Sequence, residues 1–120
     1  MGVVISVDAN DGLVGVSSDF YWELDRIGQF ATGGMGWKGT LFAEFIAEYN
    51  LFVLNTLMEA DLGQETCFYY GRCPAKQIDF ILVDETTRKS LWSVRTMFSS
   101  AFASDHAALV LIAQQEDLQA

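Results

Sequence analysis

The chain has 120 residues, 51% of them apolar, and a formal net charge of −9. That length fits one domain or a piece of one, and the apolar fraction suffices for a core, which excludes a disordered chain. No apolar run approaches the ~18 residues of a membrane-spanning helix, and the acidic balance excludes a broad basic nucleic-acid surface while leaving room for a metal-holding carboxylate cluster.

Residues 3–7, Val-Val-Ile-Ser-Val, predict a short core strand that gives out into the turn chemistry of Asp8, Asn10 and Gly12. Gly2 and Ser6 have the form of a myristoylation signal, but a core strand is the simpler reading of the same residues. Residues 11–36 have no clean period. Phe20, Tyr21 and Trp22 predict half-buried aromatics, and the glycines between Ile27 and Gly36 predict a loop. Leu41, Phe42, Phe45, Ile46 and Tyr49 share one face of a 3.6-residue period, so residues 39–50 predict a helix with Thr40 as N-cap and Asn50 as a left-handed C-terminal cap. Residues 51–56, Leu-Phe-Val-Leu-Asn-Thr, then predict a buried strand, 57–65 an acidic loop, 66–70 a further strand, and 71–76 a turn holding Pro74.

Residues 77–83, Gln-Ile-Asp-Phe-Ile-Leu-Val, predict an apolar strand broken by one charge, Asp79. Residues 84–87 predict a turn, Trp92, Val94 and Met97 mark another strand, and residues 107–113 one more. Residues 1–113 form the predicted domain and 114–120 a polar, frayed tail. Strand, loop, helix and then mostly strands read as an α+β fold, or as α/β with sandwiched sheets, rather than as repeating βαβ units. Cys67 and Cys73 are too widely spaced for a zinc pair; they predict reduced thiols in an intracellular protein, nuclear or cytoplasmic, or a disulfide across that loop.

Three polar features interrupt this apolar pattern. A charge in a buried strand is costly unless it is paired or holds a metal, so Asp79 calls for a partner. His106, the single histidine, follows Asp105 at the mouth of an apolar strand and supplies one: a carboxylate bonded to an imidazole fixes its tautomer and raises its basicity. Asp8 and Asn10 stand where the first strand ends, either as site residues or as the start of an Asx-turn.

In their order these features resemble the endonuclease/exonuclease/phosphatase superfamily, the DNase I-like hydrolases that include abasic-site and non-LTR retrotransposon endonucleases. Val7-Asp8-Ala9-Asn10 looks like its Gly-Asp-Phe-Asn strand end. Gln77-Ile78-Asp79-Phe80-Ile81-Leu82 matches its Gln-Ile-Asp strand, and Ser104-Asp105-His106 its closing Ser-Asp-His. Gly39, Phe42, Phe45, Leu51, Asn55 and Thr56 resemble its helix–strand segment, and Thr66 the threonine that follows.

The resemblance implies the C-terminal half of a DNase I-like β-sandwich flanked by helices, with Asp8, Asn10, Asp79 and His106 as catalytic residues. Asp8 would position or deprotonate a water, Asn10 would bond the water or the phosphate, and His106, oriented by Asp79, would contact a phosphate oxygen. Asp105 and Asp8 would hold Mg²⁺ or Mn²⁺. No glutamate matches the family's metal-binding residue, which belongs to an upstream half. The expectation is therefore a truncated, weakly active or inactive DNA endonuclease whose open sheet is covered by that half or by a second copy. A non-catalytic dimerising module and a phosphatase of small phosphoesters are the alternatives.

Overall fold

The structure, a computed structural model, describes residues 2–13, 26–60, 63–68, 75–89, 91–97 and 106–114. The predicted aromatics Phe20, Tyr21 and Trp22, the Pro74 turn, Cys73, Asp105 and residues 115–120 lie outside them.

The described residues form an α+β fold of two small antiparallel sheets and three helices. Strand β1 (Val4–Asp8), helix α1 (Trp37–Glu48), strand β2 (Phe52–Val53), helix α2 (Leu54–Leu57), strand β3 (Asp79–Val83), helix α3 (Glu85–Arg88), strand β4 (Leu91–Met97) and strand β5 (Ala108–Gln114) follow in order. One sheet has the order β1-β3-β2 and the other pairs β4 with β5. Alternation along β3 divides the core, because successive side chains of a strand face opposite sides. Phe80 and Leu82 join Val53, Ile46 and Leu51 under α1, whereas Ile81 and Val83 join Phe52, Val94 and Leu109 between the two sheets. The layers are thus helix, sheet, sheet.

Helix α1 begins two residues earlier than its pattern predicts, so Thr40 is inside it and is not the N-cap. Its hydroxyl instead donates to the carbonyl of Gly36, one turn back. The capping carboxylate comes from elsewhere in the chain. Asp11 Oδ2 accepts the N–H groups of Gly36 and Gly39, at 2.9 and 2.8 Å, and Oδ1 accepts that of Gly12. Those of Gly36 and Gly39 are donors that a helix start otherwise leaves without partners. A side chain on Gly39 would collide with the Gly12 carbonyl, so only glycine lets the helix approach this closely.

At its other end α1 closes as predicted. Asn50 has φ +55°. Its N–H donates to the Ala47 carbonyl, and the N–H of Leu51 donates to that of Ile46, the paired bonds of a Schellman ending. The apolar face is only half used, however. Ile46 is buried, but Leu41, Phe45 and Tyr49 are 57%, 41% and 60% exposed.

Three further expectations are corrected. The predicted strand forms over Val4–Asp8, but among the described residues it lies at the sheet's edge and pairs only with β3, and Val3, Val4 and Ile5 are 43%, 51% and 37% exposed. Residues 51–56 are buried, yet only Phe52 and Val53 are strand, because the chain turns into α2 at Leu54. Residues 84–87 enter a short helix, with Asp84 Oδ1 accepting the Thr87 N–H as its N-cap. Of residues 66–70, Cys67 forms isolated bridges to Lys76 and His106. No described helix is long and apolar enough to cross a membrane.

The Gly39 N–H, with those of Gly12 and Gly36 and the Lys38 charge, holds the Asp11 carboxyl below its ordinary value of 3.8, against an opposing effect of burial. Asp11→Ala is expected to destabilise the protein by about 0.5–2 kcal/mol at neutral pH, the usual cost of a lost cap. Since the folded value is the lower one, this stabilisation is complete above the unfolded value and is lost as pH falls through the folded one. Urea denaturation of both proteins at pH 7 and below pH 3.8 should show the gap closing in acid.

Candidate functional site

Asp8 ends β1 and Asp79 begins β3, and the register places them directly opposite each other. Cross-strand partners share a face, here the face of Ile81 and Val83 that is turned to the second sheet. His106 lies two residues before β5, on the second sheet's side of the molecule. Its Nδ1 is 2.8 Å from Asp79 Oδ2, and its Nε2 is 4.0 Å from Asp8 Oδ2. The site therefore closes where the two sheets meet, from residues nearly a hundred positions apart.

Because a carboxylate only accepts, the short contact requires that Nδ1 carry hydrogen and donate to Asp79. Nε2 is then the ring atom turned toward Asp8. Exposure is graded: the side chains of Asp79, His106 and Asp8 are 19%, 32% and 54% exposed. Asp79 is the sheltered orienting group and Asp8 the one most open to water. One ligand atom from each of the three lies within 4.8 Å of the others. Asp8 and Asp79 are like charges directly opposite on neighbouring strands, which repel unless a donor or a cation lies with them, and the His106 Nδ1–H is such a donor to Asp79.

The other predicted site residues fare differently. Asn10 adopts φ +53°, and its backbone N–H donates to Asp8 Oδ1 at 2.8 Å. This is the Asx-turn alternative, and it also orients the Asp8 carboxylate. Asn10 lines a recess of about 60 Å³ with Gly33, Gly34, Lys76 and Ile78. Asp105, predicted to hold metal, lies outside the described residues.

Asn55 was visible in the sequence as a motif letter but not as a structural part. It is 1% exposed. Its Nδ2 donates to the carbonyl of Asp79 and its Oδ1 accepts the N–H of Ile81, both at 3.0 Å. A side-chain amide thus takes over the pairing of β3 where β2 has turned into a helix. Its backbone carbonyl in turn accepts from Gln77 Nε2 and Gln64 Nε2. The signal for such a role is a polar residue inside an apolar run, since burial demands full hydrogen bonding.

Compared with protein-family models, with curated proteins and with solved structures, the chain matches none.

Asn55→Leu keeps the bulk and removes both bonds to β3, leaving a buried N–H and a carbonyl without partners. A loss of about 2–4 kcal/mol is expected from those two groups, read as a lower urea midpoint with an unchanged slope.

Proposed function

We propose that this chain is a metal-dependent phosphodiesterase domain of the endonuclease/exonuclease/phosphatase type, acting on DNA and weakly active by itself. One observation carries the reading: the Asp8, Asp79 and His106 side chains, from the three motifs matched in the sequence, face one another across the two sheets. A DNase I-like sandwich is the fold proposed for this arrangement, and two facing antiparallel sheets are consistent with it.

The chemistry follows from the exposure and the hydrogen bonds. Asp79 holds the imidazole by Nδ1 and leaves Nε2 to contact a phosphate oxygen. In its protonated form, Nε2–H donates to the oxygen on which charge develops. Asp8, the most exposed of the three, can orient a water for attack on phosphorus or take its proton. The Asn10 N–H bond fixes the direction of that carboxylate.

The donor set fits a divalent ion. Carboxylate oxygens suit Mg²⁺, which keeps several of its waters, or Mn²⁺, while the imidazole, held at Nδ1 by Asp79, would lie beside the ion and keep Nε2 for the phosphate. Asp8 would hold the ion, with His106 and Asp79 beside it. When bound, such an ion stabilises charge on the phosphate and on the leaving oxygen. Weak activity is proposed because no residue here matches the glutamate that completes the family's metal site. DNA is preferred to a small phosphoester on the likeness of the helix–strand segment containing Leu51, Asn55 and Thr56.

A second reading, a dimerising or binding module on the same fold, is favoured by the exposed edge strand β1 and the exposed apolar residues of α1.

Two measurements bear on these readings. With Mg²⁺, the purified protein should nick supercoiled DNA or abasic-site duplex slowly, and His106→Ala should lower that rate by roughly 10²–10³-fold, the range for a lost transition-state donor. A rate unaffected by His106→Ala would remove the site from the reaction. Light scattering separates the second reading: a clean dimer without any Mg²⁺-dependent cleavage would favour it. In addition, titrated Mn²⁺ should broaden the amide signals of residues 8–10, 79 and 106 before those of the exposed Glu44 and Glu48 on α1.

A further inference from the structure

We propose that Thr66 is the positioning residue that sets the Asp79–His106 contact; this deepens the hydrolase reading and rests on it only for the consequence in rate. Thr66 is fully buried, at 0% exposure, and it bonds both chain segments that carry the pair. Its Oγ1 accepts the N–H groups of Ile78 and Asp79, each at 3.0 Å. Its carbonyl accepts the N–H of Ala107, the residue after His106, at 2.7 Å. Its own N–H donates to the Lys76 carbonyl at 2.9 Å.

The register explains why a side chain is needed there. Ala9 N–H donates to the Ile78 carbonyl, and antiparallel pairs alternate between bonded and non-bonded. The next pair, Asp8 and Asp79, is therefore non-bonded, and the N–H and carbonyl of Asp79 point away from β1. On that side no strand runs beside Asp79 among the described residues. Thr66 Oγ1 takes the N–H and Asn55 Nδ2 takes the carbonyl. The two lone pairs of the hydroxyl match the two donors it receives.

Next to Thr66, Cys67 is bridged to Lys76 on one side and to His106 on the other. Residues 66–67 thus lie as a one-strand spacer between the segment leading into β3 and the segment leading into β5. The spacing of the carboxylate and the imidazole passes through Thr66. Valine at this position keeps the shape and withdraws the oxygen, so Ile78 and Asp79 lose their acceptor and the backbone of Asp79 must find another. A hydrogen bond at 2.8 Å tolerates little such movement, because it weakens steeply with distance and angle. Serine keeps the oxygen.

The single histidine makes the test specific. The imidazole nitrogens of ¹⁵N-labelled protein report the tautomer and the Nδ1–H hydrogen bond whether or not the protein cleaves anything. Failure of the hydrolase reading would therefore leave this result standing. The wild type should show a slowly exchanging, downfield Nδ1–H proton, and Asp79→Asn should lose or shift it. Thr66→Val, shown to be folded by its backbone amide spectrum, should lose that proton, with the two nitrogen shifts moving toward those of free imidazole. Thr66→Ser should restore it. A folded Thr66→Val with the wild-type imidazole signals would overturn the proposal. Should Thr66→Val not fold, Thr66→Ser decides: the wild-type signal supports the oxygen's role, and its loss overturns it.

Discussion

The hydrogen bond between His106 Nδ1 and Asp79 Oδ2 is the constraint on which the site depends. It joins the two sheets at an end where, among the described residues, polar groups replace apolar ones. Between the sheets elsewhere, Ile81, Val83, Phe52 and Val94 exclude water. At Asp79 that apolar row ends in a carboxylate that is only 19% exposed, and a partly sheltered charge needs a partner. His106 is that partner, and in meeting Asp79 it is also brought to Asp8. Structural need and chemical capacity therefore coincide in one contact. The ring is held at Nδ1 because Asp79 must be satisfied, and Nε2 is left for other work.

That contact is itself held by a layer of buried side chains that do the work of missing strands. Strand β2 is two residues long, so β3 would lose its neighbour at Asp79 if Asn55 did not supply an amide in its place. Thr66 supplies an oxygen on the same side, and Gln77 ties Asn55 to the turn before β3. Each of the three is at most 1% exposed. A fully satisfied polar group at such burial fixes geometry more sharply than apolar packing, since each alternative position leaves a donor or acceptor unpaired. Asp11 does the same service for the start of α1, tying the loop after β1 to the helix that covers β3. The residues flanking Asp8 and Asp79 are thus located by directional bonds from outside their own strands.

Much of this was legible in the sequence, for reasons that differ from element to element. The C-terminal end of α1 was readable because Asn50 is one of the few residues that enters the left-handed region cheaply. The start was misplaced because its capping carboxylate is 25 residues from the N-cap it serves, and local pattern holds no trace of that. Strand β1 was recognised by its β-branched residues, but its burial was overestimated: composition reports what a strand could bury, and not whether anything lies against it. The same holds for α1, whose apolar residues exceed the surface available to cover them. The meeting of Asp8, Asp79 and His106 could be anticipated only from the order of the motifs. Their opposition across β1 and β3, and the Asx-turn at Asn10, needed the register.

The central claim is that Asp79 and His106 are energetically coupled rather than merely adjacent, and a double-mutant cycle tests it most directly. Urea unfolding at pH 7 of wild type, Asp79→Ala, His106→Ala and the double variant gives the coupling energy. A hydrogen bond to a charged group of this length and burial predicts a coupling of about 1–3 kcal/mol. Single-variant effects that add to within about 0.5 kcal/mol would contradict the account.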